Sequence, residues 1–366
     1  MSRMNSKVLL VGSIPGSDAT DAMTLCGNEI GDLIECIPDG ETGTRRIWIN
    51  HLAASVYHGN PALETVNRPL PIDAKHPDEW RTASETWAPR GYDDHWQFRV
   101  KAGVDLVRFE DLGYANAAKE SYPDFCALRD AGIVQKDARF MVALPLVESA
   151  IRPFFTNSED FEIMWRSYSD ALKREVMTLT DCIPSNDVVL QWDICLEVVA
   201  IETAAVEQQV FPWQPAGDPL ERFENAIKFA ATCVPSRTLM GLHLCYGVLG
   251  HRHLIEPQNL SVVTNMANRA AALIDRDIDY YHMPVPRDRN DDAYFEPLQN
   301  LQPGTAKLYL GLIHTTGGAE TSLALLATAK KHAMNFGVAT ECGFGRRPRE
   351  TMAELFHIHR LIADAM

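Results

Sequence analysis

The chain has 366 residues, 46% of them hydrophobic and 23% charged, enough to bury the core of one large domain. Its 34 basic and 49 acidic residues give a formal charge of −15 with no basic block, so nucleic acid and anionic membrane surfaces are poor partners. No apolar run reaches the ~18 residues of a membrane span, and the start, MSRMNSKVLLVGS, lacks a signal peptide's apolar core, so a soluble, cytoplasmic protein is expected.

Short apolar runs alternate with longer segments of helical character, the pattern of an α/β fold. In chain order, strands are predicted at residues 7–13, 33–39, 139–145, 187–193, 237–245, 277–283, 307–314 and 336–342. Apolar residues at helical spacing mark 159–181, 219–233, 259–275, 319–334 and 349–365. Between the second and third strands lies an insertion around residues 60–110. It carries Trp80, Trp87 and Trp96, whose expected role is packing, and a short run at 105–109 (DLVRF) that suggests one more strand. The expected architecture is a single (β/α)8 TIM barrel spanning residues 1–366, with that insertion packed on it.

Polar clusters stand where the predicted strands end: Gly12-Ser13, Asp39-Gly40-Glu41, Asp193, His243-x-Cys245, His282, His314 and Cys342. Barrel enzymes carry their chemistry at the C-terminal ends of the strands, so these clusters would share one mouth. Alternate residues of a strand point the same way, so His243 and Cys245 can address one ion, which Cys342 could complete. Thiolate and imidazole donors favour zinc over magnesium or calcium. The bland alternative is a buried H-x-C pair with Cys342 as a core thiol. The other cysteines are scattered without C-x-x-C spacing, as expected of small buried hydrophobes in a reducing compartment.

The order G-S-x-P, G-E, Q-x-D, H-x-C-Y, I-H and C-G, from Gly12 to Arg347, resembles the catalytic half of cobalamin-independent methionine synthase. The resemblance implies zinc on His243, Cys245 and Cys342. It also implies Ser13, Glu41 and Asp193 around the amino-acid part of homocysteine, and His314 as proton donor to the leaving group. The same motifs belong to a superfamily with epoxyalkane:coenzyme M transferase, methylcobalamin:thiol methyltransferases and uroporphyrinogen decarboxylase, so they fix no single reaction.

Two positions depart from the family pattern. His282 stands where the family has a glutamate zinc ligand. As a ligand it would leave the ion with less negative charge around it, a stronger Lewis acid suited to a reactive electrophile. If it does not ligate, water takes that place. The stretch after Pro145, LVESAIRPFF, lacks the family's tryptophan, so folate is not expected as donor.

Other candidates keep two readings each. Asp193 could bind an ammonium group or a ligand imidazole, and Glu197 could bind substrate or act as a base, or either could be a solvated or capping acid. Arg346 and Arg347 could bind a carboxylate, sulfonate or phosphate, or pair with surface acids. His251-Arg252-His253 could line the mouth or form a surface loop. The leading functional expectation is zinc-dependent alkyl, chiefly methyl, transfer to a small thiol, with His314 and Asp193 in the catalytic roles. Epoxide transfer to coenzyme M, a zinc lyase or hydrolase, and metal-free decarboxylase-like chemistry are the alternatives. The partners implied are a small-molecule thiol and an alkyl donor. A homodimer is compatible with the sequence, which leaves the oligomeric state open.

Overall fold

In a computed structural model, residues 4–68, 96–207, 210–211, 213–249 and 252–366 are described. Seven strands form one parallel sheet in chain order: Cys36–Pro38, Arg139–Pro145, Val188–Ile194, Leu239–Leu244, Tyr280–Pro284, Lys307–Ile313 and Gly337–Thr340. Strands such as Val188–Ile194 are buried at every position, which is why they read as continuous apolar runs.

The predicted strand 7–13 shrinks to a single bridge, Val8 to Val338, yet it closes the ring. Leu9 N donates to Val338 O at 3.0 Å and Val338 N to Lys7 O at 2.8 Å, while Val8 N donates to Leu33 O at 3.1 Å. The segment therefore fills the eighth position between the last strand and the approach to the first. Its later residues serve the mouth instead of a ladder: Ile14 N donates to Gly40 O at 2.8 Å and Phe344 N to Ser13 O at 2.7 Å.

Two cores result. The larger lies between sheet and helices, and a smaller one fills the barrel interior with Leu9, Val11, Met141, Val189, Tyr280 and Tyr309 among others. The interior packs so closely that a Cβ on Gly241 would sit 2.0 Å from Tyr280 Cζ. Above that contact, Tyr280 Oη donates to Gln191 Oε1 at 2.8 Å, and Gln191 Nε2 donates to Val11 O at 2.6 Å and to Asp193 Oδ1 at 2.9 Å.

The helices follow the expected apolar spacing and are stopped by local signals. Ser158–Cys182 is capped by Asn157, whose Oδ1 accepts from Asp160 N at 2.9 Å, and Pro219–Cys233 by Asp218, which accepts from Leu220 N at 2.7 Å. Each such cap contributes about 1 kcal/mol. Ser261–Leu273, Gly318–His332 and Met352–Ala365 complete the expected set. Ala19–Ile30, Tyr114–Asp130 and Leu196–Ala205 are helices beyond the expected set. None of the helices among the described residues is long and apolar enough to cross a membrane.

The insertion contains an antiparallel pair, Leu63–Asn67 with Gln97–Val100. Trp96 is buried and stacks on Phe98 at 5.8 Å, in the packing role expected of it. Trp80 and Trp87 lie outside the described residues. The expected strand at 105–109 does not form. Its backbone groups are taken up by helix Ser158–Cys182: Val107 N donates to Ser167 Oγ at 2.9 Å, and Arg174 Nη2 to Phe109 O at 3.0 Å. Just beyond, Glu175 accepts from Leu112 N at 2.6 Å and Ala115 N at 2.7 Å. With side-chain partners available on the helix, the segment needs no ladder.

Candidate metal centre and the barrel mouth

Register decides what meets at the mouth. Asp193 pairs laterally with His243, and His243 with His282, so three polar side chains stand level on three adjacent strands. Cys245 follows the end of Leu239–Leu244, and Cys342 lies two residues beyond Thr340. One ligand atom each of His243, Cys245 and Cys342 falls within 4.8 Å of the other two. This is the group that the strand ends led one to expect.

Its chemistry suits a soft dication. Crowding against Cys195 and burial push the Cys245 thiol well above its ordinary range, and the contact with Cys245 does the same to Cys342. Buried thiols in this state ionise only when a cation compensates them. His243 Nε2 and His282 Nε2 are both buried without a hydrogen-bond partner, orphaned nitrogens on adjoining rings. His282 is not part of the three-residue group. Its Nδ1 lies 2.7 Å from His243 Nδ1, and burial, reinforced by His243, holds it well below the ordinary histidine pKa.

Two acids stand beside this group. Asp193 is buried, receives bonds from Gln191 and Trp48, and is pushed up to about 7, chiefly by burial. Glu41 is likewise raised well above the carboxylate range, by burial and then by Asp193. Glu41 also holds the left-handed conformation, φ 47°, that non-glycine residues rarely adopt. Beside them, Arg45 reaches Asp39 at 2.6 Å. Ser13 is buried where loop 343–345 crosses it: its Oγ accepts from Gly345 N at 3.3 Å, and a Cβ on Gly343 would meet that Oγ at 2.6 Å.

His314 stands at the end of Lys307–Ile313, nearly fully buried. Its Nε2 lies 3.0 Å from Val285 O, and its Nδ1 lies 3.4 Å from Glu341 Oε2. Burial lowers its pKa against the opposing pull of Glu341. Arg347 Nη1 donates to Thr315 Oγ1 at 2.7 Å, so Arg347 sits with this cluster, half-buried. Arg346, also half-buried, precedes it. His253 belongs to the same neighbourhood, its Nε2 3.1 Å from Glu341 Oε1. His251 lies outside the described residues.

Glu197 is placed differently from the expectation of a substrate ligand. It is fully buried, with Oε1 accepting from Ser149 N at 3.0 Å and Oε2 from Ser149 Oγ at 2.5 Å. Next to it, Glu148 takes Arg152 at 3.2 Å and Arg222 at 2.9 Å. This buried network ties helix Leu196–Ala205 to the turn after Arg139–Pro145, and both Glu197 oxygens are engaged in it. The sequence reading also passed over Glu341, Trp48 and Cys195, which carry no motif signal of their own.

The fold defined here is a parallel α/β barrel with its polar side chains gathered at the C-terminal mouth, and solved structures share it along the full chain. A B12-independent methionine synthase from Shewanella sp. W3-18-1, in complex with selenomethionine, matches with a TM-score of 0.62 at 14% identity, over 99% of this chain and 97% of that one. A Listeria monocytogenes protein assigned as a vitamin-B12-independent methionine synthase matches at 0.55 and 14% identity, over 100% and 99%. A methyltransferase from Methanosarcina mazei matches at 0.50 and 12% identity, over 100% and 94%. No family model matches the sequence, and neither does any curated protein. At these identities the likeness establishes the fold, and the chemistry has to be argued from the residues.

Proposed function

We propose that this chain is a zinc-dependent transferase that moves an alkyl group, chiefly methyl, to a small thiol. The observation that carries the reading is the convergence of His243, Cys245 and Cys342 within 4.8 Å at the mouth. These three would hold the ion and leave a fourth position for substrate sulfur. His282 would orient His243 through the Nδ1 contact instead of serving as the fourth ligand expected from the sequence. The chemistry zinc supplies at such a site is Lewis acidity, which lowers the pKa of a thiol.

The remaining roles fall to the chain's own groups. Glu41 and Asp193, both buried and raised in pKa, form a pocket complementary to an ammonium group, as on an amino-acid thiol. Ser13 contributes a hydroxyl beside them. His314 gives a proton to the departing group, and Arg347 would meet the substrate's acid group, with Arg346 preceding it in the same loop. A second reading, transfer to a sulfonate thiol from an epoxide, draws on the half-buried Arg347 beside Glu341 and Thr315. The buried acids Glu41 and Asp193, suited to an amino group, favour the first.

The test is metal analysis of the purified chain together with Cys245→Ser and Cys342→Ser. About one zinc per chain, lost in both variants, is the expected result. Thiols with and without an amino group are then offered with methyl and epoxide donors. Zinc retained by both variants, or turnover that needs no added thiol, would overturn the reading, and the latter would point to a lyase or hydrolase.

A further inference from the structure

Beyond the cysteine–histidine group, three side chains meet at the ends of the last two strands. Val285 O can only accept, so the His314 Nε2 that faces it at 3.0 Å carries a hydrogen. That leaves Nδ1 as the ring nitrogen able to exchange a proton, and Nδ1 faces Glu341 Oε2 at 3.4 Å. The second carboxylate oxygen, Oε1, lies 3.1 Å from His253 Nε2, and His253 Nδ1 lies 2.9 Å from Glu256 Oε2. His253 reaches this place on a short antiparallel hairpin, Val248–Leu249 with Arg252–His253. The hairpin thus sets a histidine against a carboxylate that itself stands against the His314 ring.

We propose that Glu341 is the positioning residue of His314: its carboxylate stabilises the imidazolium across 3.4 Å, too long to commit the Nδ1 hydrogen to Oε2, while His253 fixes Glu341 through Oε1. The inference rests on the reading of His314 as the acid of the reaction. In that step the Nδ1 proton passes to the leaving group, the Nδ1–H bond breaks, and the ring returns to its neutral form with hydrogen on Nε2. Glu341 never touches substrate in this account. A carboxylate at this range favours the charged ring. Arg347 and His253 are the other charged groups bearing on His314, and both oppose its protonation. Two carboxylates hold His253 charged, with its pKa raised to about 9.

A carboxylate that merely pins the hairpin would leave the titration of His314 untouched, and this is what the experiment reads. The full-length, metal-loaded protein is labelled with 15N-histidine, and the His314 resonances are assigned by their loss in His314→Asn. Glu341→Gln is expected to lower the His314 titration midpoint by about one pH unit. His253→Gln keeps a donor to Glu341 but removes a positive charge, so the midpoint is expected to rise. Opposite shifts at unchanged metal content support the proposal. No shift in Glu341→Gln, or a rise in both variants as a loosened and solvated site would give, overturns it. The measurement needs no substrate, so its outcome stands apart from whether the chain transfers alkyl groups.

Discussion

The Nδ1 atoms of His243 and His282 lie 2.7 Å apart on neighbouring strands, so one ring must donate to the other. A ring held this way presents its other nitrogen in a fixed direction. His282→Ala is therefore expected to weaken zinc affinity roughly 10–100-fold while keeping the stoichiometry at saturating metal. Competition with a chromophoric chelator measures it. A loss of stoichiometry equal to that of Cys245→Ser would make His282 a ligand in its own right.

Metal removal should be favoured by acid. Both thiols are held above their ordinary pKa, so each must give up a proton when the ion binds. Zinc affinity is expected to fall steadily as pH decreases from 8 to 6, by about tenfold per unit for each proton released and so about a hundredfold per unit for two. A flat dependence in buffered chelator titrations would show that the thiols do not ligate.

The acid pair predicts which thiol is bound. Glu41→Gln and Asp193→Asn are expected to raise KM for homocysteine roughly 10–100-fold, the loss of one or two charge-assisted hydrogen bonds. For its analogue lacking the amino group they should change KM little. Equal effects on both thiols would remove the ammonium from the account and favour the sulfonate reading.

Glu202, on helix Leu196–Ala205, is a buried acid with Oε1 unpartnered, and burial pushes it up to about 7. A folded-state pKa above the unfolded value of an acid destabilises the protein as pH rises between the two. The penalty is absent below about pH 4 and complete above about pH 7. Glu202→Gln is accordingly expected to stabilise the protein at pH 8 by on the order of 1–2 kcal/mol and to have little effect at pH 4. Thermal unfolding at the two pH values distinguishes this from a uniform gain.

Gly241→Ala places a methyl group within 2.0 Å of Tyr280 Cζ, inside the barrel. Overpacking of this kind costs about 1–3 kcal/mol or more. Adding Tyr280→Leu should recover part of the loss by removing the clashing ring. If the double variant is no more stable than the single, the clash is not what destabilises it.

The strands and the grouping of His243, Cys245 and Cys342 were legible in the sequence for a physical reason. A parallel strand buried on both faces must be apolar throughout, so a polar residue at its end, such as Asp193 or His243, stands out. Lateral register leaves no such mark, and it alone decides that His282 meets His243. Glu341 precedes Cys342 in an ordinary polar stretch, and its importance comes from a hairpin only two residues per strand, too short to show alternation. Trp48 acquires its role by reaching Asp193 across the mouth. The segment 105–109 has the apolar content of a strand, but a helix with Ser167 and Arg174 in reach answers its backbone equally well.

The ring is closed by the single bridge between Val8 and Val338. Its two halves are separated by almost the whole chain, so closure carries the highest loop entropy of any strand pairing in the barrel. During synthesis the open sheet must wait for the last strand to emerge before it can seal. Until then the edges at residues 7–9 and at Lys307–Ile313 are unprotected backbone, the kind that invites pairing with other chains. Slow or interrupted translation late in the message should therefore raise aggregation more than an early pause does.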